Sequence, residues 1–344
     1  MEVGRDPNKY QWFEQWAKIP ITESSVNGWA HNDMVVSENG NIIGFHQADP
    51  TMLVFDHQGN VAKRIDVEVS NAHGMSIVNE GGEEFVWMAD NTTGKVLKSS
   101  MTGSTVMNIS PPDIEVYANG KYSPTSVAIN EQQFGGNGDI WVADGYGQSY
   151  IHRYDSTGNY IASINGSERD GGNFEQPHGI WIDTRKSANE LYIADRANGR
   201  VQVYDLEGNF LRTFGREPGK DWLHSPSAFA VSGELMFVAE LRGSRITVLD
   251  QEDNLIGYIG ENSGAFLRLD GWPNVPQDTL EEGLFNSPHG ITADNKGNVF
   301  VSTGSEAIQL TAILSQKSST LVHVGEVAVI SSVYQSPPYT PPAH

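Results

Sequence analysis

The sequence contains no cysteine, few basic residues and no long apolar run. Without cysteine there are no disulfides, and cysteine usage leaves the redox compartment open. Lysine and arginine number 22 against 43 aspartates and glutamates, which gives a net charge of −21. Nucleic-acid phosphates and anionic membranes would repel such a chain. No apolar run approaches the roughly 20 residues of a spanning helix. We therefore predict no nucleic-acid partner and no membrane insertion.

The N-terminal residues bear on localisation. Met1 to Pro7 lack the apolar core of a secretory signal. This pattern predicts either a cytoplasmic chain or a mature chain from which a signal has been removed. The acidic charge suits an extracytoplasmic or salt-adapted protein, so we favour a secreted location, while a merely solvated acidic surface has the same composition. The sequence leaves the oligomeric state open and is compatible with a monomer.

The main positive feature is an internal repeat. Short alternating strands separated by turns recur six times between Ala30 and Ser302. The period of roughly 40–60 residues is typical of β-propellers. The clearest copy extends from Gln176 to Asn209 and combines Pro-His-Gly, Tyr-Ile-Ala-Asp and Arg-Val-Gln-Val-Tyr-Asp segments. One four-stranded blade cannot bury both of its faces, but six blades around an axis can. We predict an all-β fold, a six-bladed β-propeller over residues 29–334.

The segments outside the repeat are assigned separately. Residues 1–28 are rich in aromatics and are expected to pack on the propeller with one helical turn. Residues 261–286 form an insertion that should rim the mouth of the channel. Residues 318–334 could be strands, and residues 335–344 are a Pro-rich tail. The repeat is lost after about Thr303, so the sequence leaves open how the ring closes.

Histidine alternates around the predicted ring. The first strand of each blade should line the channel, so equivalent residues of these strands form a circle. Three imidazoles from alternate blades would meet on the axis and leave a fourth position open, as in a catalytic zinc site. The alternative is that each histidine only hydrogen-bonds a neighbouring blade. The equivalent positions hold, in chain order, Asn32, His73, Thr125, His178, Ser227 and His289.

The remaining histidines show no such pattern. We interpret most of them as surface or packing residues and expect His46 to face the mouth. They are His31, His46, His57, His152, His224, His323 and His344.

Two turns near the same end of the channel contain further candidate side chains. Tyr146 follows the second strand of blade three, and Arg196 follows that of blade four. Tyr146 could act as a general base if a metal ion or Arg196 stabilises its phenolate. Arg196 could bind a substrate carboxylate through two hydrogen bonds. The alternatives are that Arg196 pairs with Asp195 or a neighbouring blade and that Tyr146 only packs at the rim.

The repeat resembles the NHL family, and the site motifs resemble peptidyl-α-hydroxyglycine α-amidating lyases over about residues 30–302. That resemblance implies an axial Zn²⁺ bound by three histidines, matched by His73 in Asn-Ala-His-Gly, His178 in Gln-Pro-His-Gly and His289 in Ser-Pro-His-Gly. It also implies a catalytic tyrosine in an Asp-Gly-Tyr turn, matched by Tyr146. A catalytic arginine in Ala-Asp-Arg-x-Asn-Gly-Arg is matched by Arg196.

Some family positions differ in this chain. The animal enzymes have a substrate-binding arginine in blade one, whereas residues 44–50 contain none. Gly290 stands where an aspartate contributes to a structural Ca²⁺ site, Ser287 replaces a methionine, and Gly147 replaces a disulfide cysteine. The metal and the base therefore match the family. The Ca²⁺ site and the pocket for a peptide carboxylate do not, so the substrate could be another compound.

Three functional hypotheses follow. The first is a zinc-dependent lyase that splits an α-hydroxyglycine-type carbinolamide, with a small molecule or a peptide C-terminus as substrate. The second is another metal-dependent reaction in the same channel, such as hydrolysis of a lactone or an ester, dehydration or C–O cleavage. The third is a non-catalytic NHL scaffold that binds a protein or a glycan on its rim, since fold alone does not determine function.

Overall fold

A computed structural model describes residues 1–5, 8–20, 32–47, 49–167, 172–217, 220–268, 271–273, 275–303 and 310–315. These residues form β-strands and turns, with helix only as short 3₁₀ turns. None of the helices in the described ranges is long and apolar enough to cross a membrane. The 3₁₀ turns are Glu115–Tyr117, Gln132–Phe134, Ala265–Leu267 and Gln277–Thr279.

The first half of the chain forms three consecutive blades. Two N-terminal strands, β1 (Glu2–Arg5) and β2 (Asn8–Phe13), precede them. Each blade is a four-stranded antiparallel sheet whose strands follow one another in the chain. The strands are β3 (Met34–Val36), β4 (Ile42–His46), β5 (Thr51–Phe55) and β6 (Val61–Asp66); β7 (Ala72–Glu80), β8 (Glu83–Asp90), β9 (Lys95–Ser100) and β10 (Thr105–Ile109); and β11 (Ser126–Ile129), β12 (Ile140–Asp144), β13 (Tyr150–Tyr154) and β14 (Tyr160–Ile164).

The second half repeats this pattern with one change at the end. Blades four and five are again four-stranded, and the short strands β19 and β20 form a separate hairpin between them. Blade six takes only its first three strands from this half. The strands are β15 (Pro177–Asp183), β16 (Glu190–Asp195), β17 (Arg200–Tyr204), β18 (Phe210–Phe214), β19 (Arg216–Glu217) and β20 (Lys220–Asp221); β21 (Pro226–Ser232), β22 (Leu235–Glu240), β23 (Arg245–Leu249) and β24 (Leu255–Ile259); and β25 (Pro288–Ala293), β26 (Val299–Thr303) and β27 (Leu310–Ser315).

The six blades close into a ring. The first strand of each blade contacts the first strand of the next, in the cycle β3, β7, β11, β15, β21 and β25, and β25 contacts β3. Buried apolar clusters fill the spaces between adjacent blades. One cluster joins blades one and two around Met52 and Met88. Another joins blades four and five around Tyr192 and Met236. The predicted six-bladed propeller is confirmed.

A recurrent turn links the third and fourth strands of several blades. In blade three, Asp155 Oδ1 accepts the backbone N–H groups of Thr157 and Asn159, both at 2.9 Å. Gly158 lies between them with φ +87°, a left-handed conformation that glycine adopts without steric cost. The Asp-x-x-Gly-Asn pattern therefore marks this turn in blades one, three and four, because the aspartate caps it and the glycine allows it to close.

The ring is closed by the N-terminal part of the chain. β2 pairs antiparallel with β27, and β1 adds the outermost strand to the same sheet. The expected helical turn in residues 1–28 is therefore replaced by strand in residues 2–5 and 8–13. Tyr10 and Trp12 are both buried, and this alternation is the period of a strand with one face on the core. The possible strands at 318–334 and the tail at 335–344 lie outside the described residues.

Replacing Trp12 with alanine tests this closure. The indole is 2% exposed and lies 4.7 Å from the Phe285 ring, between blades five and six. Removing a core tryptophan costs about 3–5 kcal/mol, so we expect a clear fall in the urea midpoint of unfolding. Val106→Ala, at a side chain 50% exposed on an outer strand, should change stability by less than about 0.5 kcal/mol. Equal small changes in both variants would contradict the closure described.

Candidate metal centre

Three histidines from alternate blades meet on the propeller axis. His73, His178 and His289 are each the second residue of the inner strands β7, β15 and β25. Their ring centroids are 4.7–4.9 Å apart. One ring nitrogen from each lies within 4.8 Å of the others, and all three residues are buried. Within the described ranges this is the only group of three or more His, Asp or Glu side chains close enough to share an ion.

The local backbone explains why each histidine faces the axis. The pairing register of each inner strand shifts around the histidine, between Ala72 and Gly74 in blade two, between Pro177 and Ile180 in blade four, and between Pro288 and Ile291 in blade six. Such a bulge redirects one side chain out of the regular alternation. The glycine that follows each histidine is also required. A Cβ on Gly74 or Gly179 would lie 2.3 or 2.4 Å from a carbonyl oxygen of the next blade. The His-Gly pair thus combines an axial ligand with close blade packing.

Backbone carbonyls of the neighbouring blades orient two of the rings. His73 Nδ1 lies 2.9 Å from Thr125 O, and His178 Nδ1 lies 2.7 Å from Ser227 O. A carbonyl oxygen only accepts, so each Nδ1 carries the hydrogen and each Nε2 presents a lone pair. This is the usual outer support of a metal-binding histidine. The alternative role, hydrogen bonding to the next blade, is therefore present, and it involves the nitrogen that faces away from the cluster.

Tyr146 completes a set of acceptors around the axis. Its hydroxyl oxygen lies 3.2 Å from His73 Nε2 and 3.1 Å from His178 Nε2. The single phenol proton can be donated to only one of these two nitrogens. A cation between the nitrogens and the phenol oxygen would satisfy the set, because all of them offer lone pairs. Three neutral imidazoles match the donors of a catalytic zinc site. The residues present therefore fit a zinc ion.

The Tyr146 turn reaches the axis by packing against the next blade. Gly145 lies against blade four so closely that a Cβ would be 2.3 Å from Pro177 O. Pro177 directly precedes His178 in β15. The backbone N–H of Tyr146 donates to Ser123 O at 3.2 Å. These contacts place the phenol beside His178, so Tyr146 belongs to the centre and is not only a rim residue.

Arg196 lies on the other side of the tyrosine. Its Nη1 donates to the Tyr146 hydroxyl at 3.3 Å, and its Nη2 donates to Gln176 Oε1 at 3.2 Å. The guanidinium carbon is 5.3 Å from the centroid of the Tyr146 ring, a cation–π distance. Asp195, the alternative partner considered for Arg196, is bound by Arg200 Nε at 2.7 Å. The structure thus brings all five predicted site residues together and adds Gln176.

Known proteins with similar sequences include NHL-repeat proteins and amidating lyases. No model of a protein family matches the chain. It is 28% identical over 228 residues to human NHL repeat-containing protein 3, covering 62% of this chain and 61% of that protein. It is 27% identical over 236 residues to a probable peptidyl-alpha-hydroxyglycine alpha-amidating lyase of Caenorhabditis elegans, covering 67% of this chain and 60% of the relative. The chain thus spans about six tenths of the length of these curated relatives.

Solved structures show the same fold at low identity. A streptogramin B lyase matches 90% of this chain and 98% of its own with a TM-score of 0.58 and 15% identity. A gluconolactonase from Xanthomonas campestris matches 90% of both chains with a TM-score of 0.56 and 13% identity. The chain is a six-bladed β-propeller that is similar to NHL-repeat proteins and to amidating lyases. At these identities the solved structures support the fold alone.

A cavity of about 260 Å³ lies along the propeller axis. It is lined by later residues of the inner strands, including Ile77, Ile180 and Phe229. Asp33 also lines it, and its Oδ1 accepts the backbone N–H groups of Met34 at 3.0 Å and Ile291 at 3.2 Å. Burial raises the pKa of Asp33 to about 7. This carboxyl was not among the predicted site residues, although Asp33 directly follows Asn32, the blade-one position equivalent to the three histidines.

The propeller offers little support for a Ca²⁺ site. The aspartate that the resemblance associates with calcium is replaced by Gly290, where a Cβ would lie 2.6 Å from Asn32 O. No side chain fits there without a shift of the backbone. The described residues contain no group of three acidic side chains close enough to share an ion, so the Ca²⁺ site stays a prediction.

The remaining histidines divide into two groups. His57 and His224 are exposed, as expected for surface residues. His46 and His152 are buried, and His46 lines a small cavity between blades one and six. His31, His323 and His344 lie outside the described residues. His152 belongs to a hydrogen-bonded network in blade three that sequence analysis did not identify.

Proposed function

We propose that this protein is a zinc-dependent lyase. It would cleave the C–N bond of an α-hydroxyglycine-type carbinolamide and release an amide and glyoxylate. The observation that supports this proposal is the convergence of His73, His178 and His289 with Tyr146 and Arg196 at one point on the axis. The similarity to a probable amidating lyase of Caenorhabditis elegans points to the same reaction class.

His73, His178 and His289 would hold the zinc ion. Zinc bound there would supply a Lewis acid that makes the substrate hydroxyl more acidic. Tyr146 lies beside the imidazoles, and its hydroxyl oxygen is 3.2 Å from His73 Nε2 and 3.1 Å from His178 Nε2. A substrate hydroxyl bound beside these nitrogens would therefore lie within reach of the phenol oxygen.

Tyr146 would move the proton. As a phenolate it would accept the proton of the substrate hydroxyl while the C–O bond becomes a carbonyl and the C–N bond breaks. The electron pair of that bond passes to the amide nitrogen, which takes the proton back from Tyr146. No proton is gained or lost overall, and the products are an amide and an aldehyde. Arg196 donates to the phenol oxygen at 3.3 Å, so it would hold that oxygen in place during the transfer.

Arg196 is also the candidate for orienting the substrate. Its guanidinium is buried to 8% exposure, and it is held by Tyr146 and Gln176. A buried guanidinium is a strong partner for a carboxylate because it presents several donors in one plane. The carboxylate of an α-hydroxyglycine unit would fit this role and would place its hydroxyl toward the histidines.

The direct test is turnover with zinc analysis. Protein purified without chelators should contain about one zinc per chain, as expected for a site of three histidines, and should release glyoxylate from a synthetic peptide ending in α-hydroxyglycine. Removal of zinc with a chelator should stop the release, and added zinc should restore it. Zinc-free protein that binds a partner on its rim would instead support the scaffold hypothesis.

A second candidate is hydrolysis of a lactone or an ester at the same centre. It is favoured by the lack of arginine in residues 44–50, where the resemblance places a substrate-binding arginine. A panel of lactones assayed beside the peptide would separate the two reactions. Zinc-dependent lactone hydrolysis without glyoxylate release would replace the lyase proposal.

A further inference from the structure

The turn that presents Tyr146 is built around the buried carboxylate of Asp144. Asp144 Oδ1 accepts the backbone N–H of Ser123, and Oδ2 accepts that of Gln148, both at 2.6 Å. The turn lies so close that a Cβ on Gly147 would be 2.0 Å from Oδ1. The carboxylate therefore determines the path of the backbone on both sides of Tyr146.

A third donor to this carboxylate comes from outside the turn. The hydroxyl of Tyr117 donates to Asp144 Oδ2 at 2.6 Å, and its oxygen lies 2.7 Å from His152 Nε2. Because the one phenol proton goes to the carboxylate, the imidazole must donate through Nε2. His152 Nδ1 then accepts from Ser163 Oγ at 2.7 Å. Each member of the chain donates to the next, an arrangement in which the hydrogen bonds strengthen one another.

The neighbouring blades support the equivalent turn differently. In blade four, Asp195 accepts hydrogen bonds from Arg200 Nε at 2.7 Å and from Gln202 Nε2 at 3.2 Å. In blade five, Glu240 accepts hydrogen bonds from Arg245 and Thr247. Strand register places Tyr150 and His152 at these positions in blade three. Of these three blades, only blade three supports its acidic residue without an arginine; the hydroxyl of Tyr117, hydrogen-bonded to His152, takes that place. Blade three is also the blade that contains Tyr146.

We propose that Tyr117 and His152 are positioning residues that hold the Asp144–Gly147 turn so that the Tyr146 hydroxyl lies against the histidine ligands. This inference rests on the proposed function, since Tyr146 is the proton acceptor there. Neither residue touches the substrate or the ligand nitrogens in the contacts described. Their contribution is the geometry of the phenol, which must remain within about 0.5 Å of the productive position.

Burial keeps the pair uncharged, which supports this role. Burial lowers the pKa of His152 to about 3. Burial and the Asp144 carboxylate raise the pKa of Tyr117 above its ordinary value. The aromatic groups packed on His152 are the phenol rings of Tyr117, Tyr122 and Tyr150. Around neutral pH, Tyr117 therefore stays the donor to Asp144, and neutral His152 stays the donor to Tyr117.

Tyr117→Phe is the decisive variant, because it removes one hydroxyl and leaves the ring. We expect kcat for glyoxylate release to fall by about 10–100-fold, as for loss of outer support at metal sites, with KM changed less than about twofold. Zinc content should stay at the wild-type level. His152→Gln should lose less activity than Tyr117→Phe, because glutamine fills the equivalent position in blade four.

Thr247→Val is the matched control. Thr247 supports the same turn in blade five, where Leu241 and Arg242 follow Glu240 and no tyrosine stands in the turn, so we expect unchanged kcat. A Tyr117→Phe protein with lower thermal stability but wild-type kcat would overturn the proposal. An equal loss of kcat in Thr247→Val would overturn it as well, since the effect would then be a general one on the fold.

Crystal structures of the wild-type protein and Tyr117→Phe separate this inference from the proposed function. Absence of turnover in the wild type would reject the lyase assignment alone. The positioning inference would still predict that the Tyr146 oxygen moves away from its 3.1–3.2 Å contacts with His73 and His178 in the variant. A Tyr146 that stays in place in Tyr117→Phe would reject the positioning role whatever the reaction.

Discussion

His178→Ala should abolish zinc binding and lower glyoxylate release by at least about 10³-fold, the scale seen when stabilisation of a developing oxyanion is lost. His178 is one of only three imidazoles in the ring, and its orientation is set by the 2.7 Å contact with Ser227 O. The two remaining histidines cannot supply the three protein ligands of a catalytic zinc site. The measurements are zinc content after dialysis and kcat with a synthetic α-hydroxyglycine peptide.

The control for this variant is His224→Ala. His224 is exposed and does not belong to the cluster of three histidines, so zinc content and kcat should match the wild type. Retention of both zinc and activity in His178→Ala would refute the proposed centre. Loss of zinc with full activity would show that the reaction does not depend on the three histidines.

Tyr146→Phe should lower kcat by about 10²–10⁴-fold, the range for loss of a general acid or base, while zinc remains bound. The three imidazoles are unchanged in this variant, so the metal retains its protein ligands. The proton of the substrate hydroxyl loses its acceptor, and the leaving nitrogen loses its donor. Steady-state kinetics together with zinc analysis of the same preparation will separate the loss of the base from loss of the metal.

Tyr258→Phe serves as the matched control, because this tyrosine lies on an outer strand of blade five. It should retain wild-type kcat. An active Tyr146→Phe protein would eliminate the tyrosine as proton carrier and leave water in that role. A variant that loses zinc together with activity would instead assign Tyr146 to the ligand set.

Much of the candidate site could be predicted because it follows from the repeat. His73, His178 and His289 occupy the same place in alternate blades, so closing the ring necessarily directs them to one axis. Tyr146 and Arg196 follow equivalent strands in adjacent blades, so their proximity also follows from the repeat. The order of the blades predicts that the two turns are neighbours, whereas the 3.3 Å contact between the side chains is seen only in the structure.

Other features could not be predicted because they depend on residues distant in sequence. Tyr117 precedes blade three and His152 lies within it, and nothing in the local sequence indicates that both reach Asp144. Asp33 accepts the N–H of Ile291, which is 258 residues away. Residues 1–28 were expected to pack on the propeller with a helical turn, and the strand β2 was not predicted because its partner β27 lies at the other end of the described chain.

By itself, the sequence determined the number of blades, the all-β class and the residues that meet on the axis. These follow from period-2 burial and from a unit that must repeat to cover both of its faces. Only the tertiary structure decided how the ring closes, which nitrogen of His73 and His178 faces the axis, and what supports the Tyr146 turn. These depend on hydrogen bonds between blades, whose partners are selected by three-dimensional packing and leave no periodic mark in the chain.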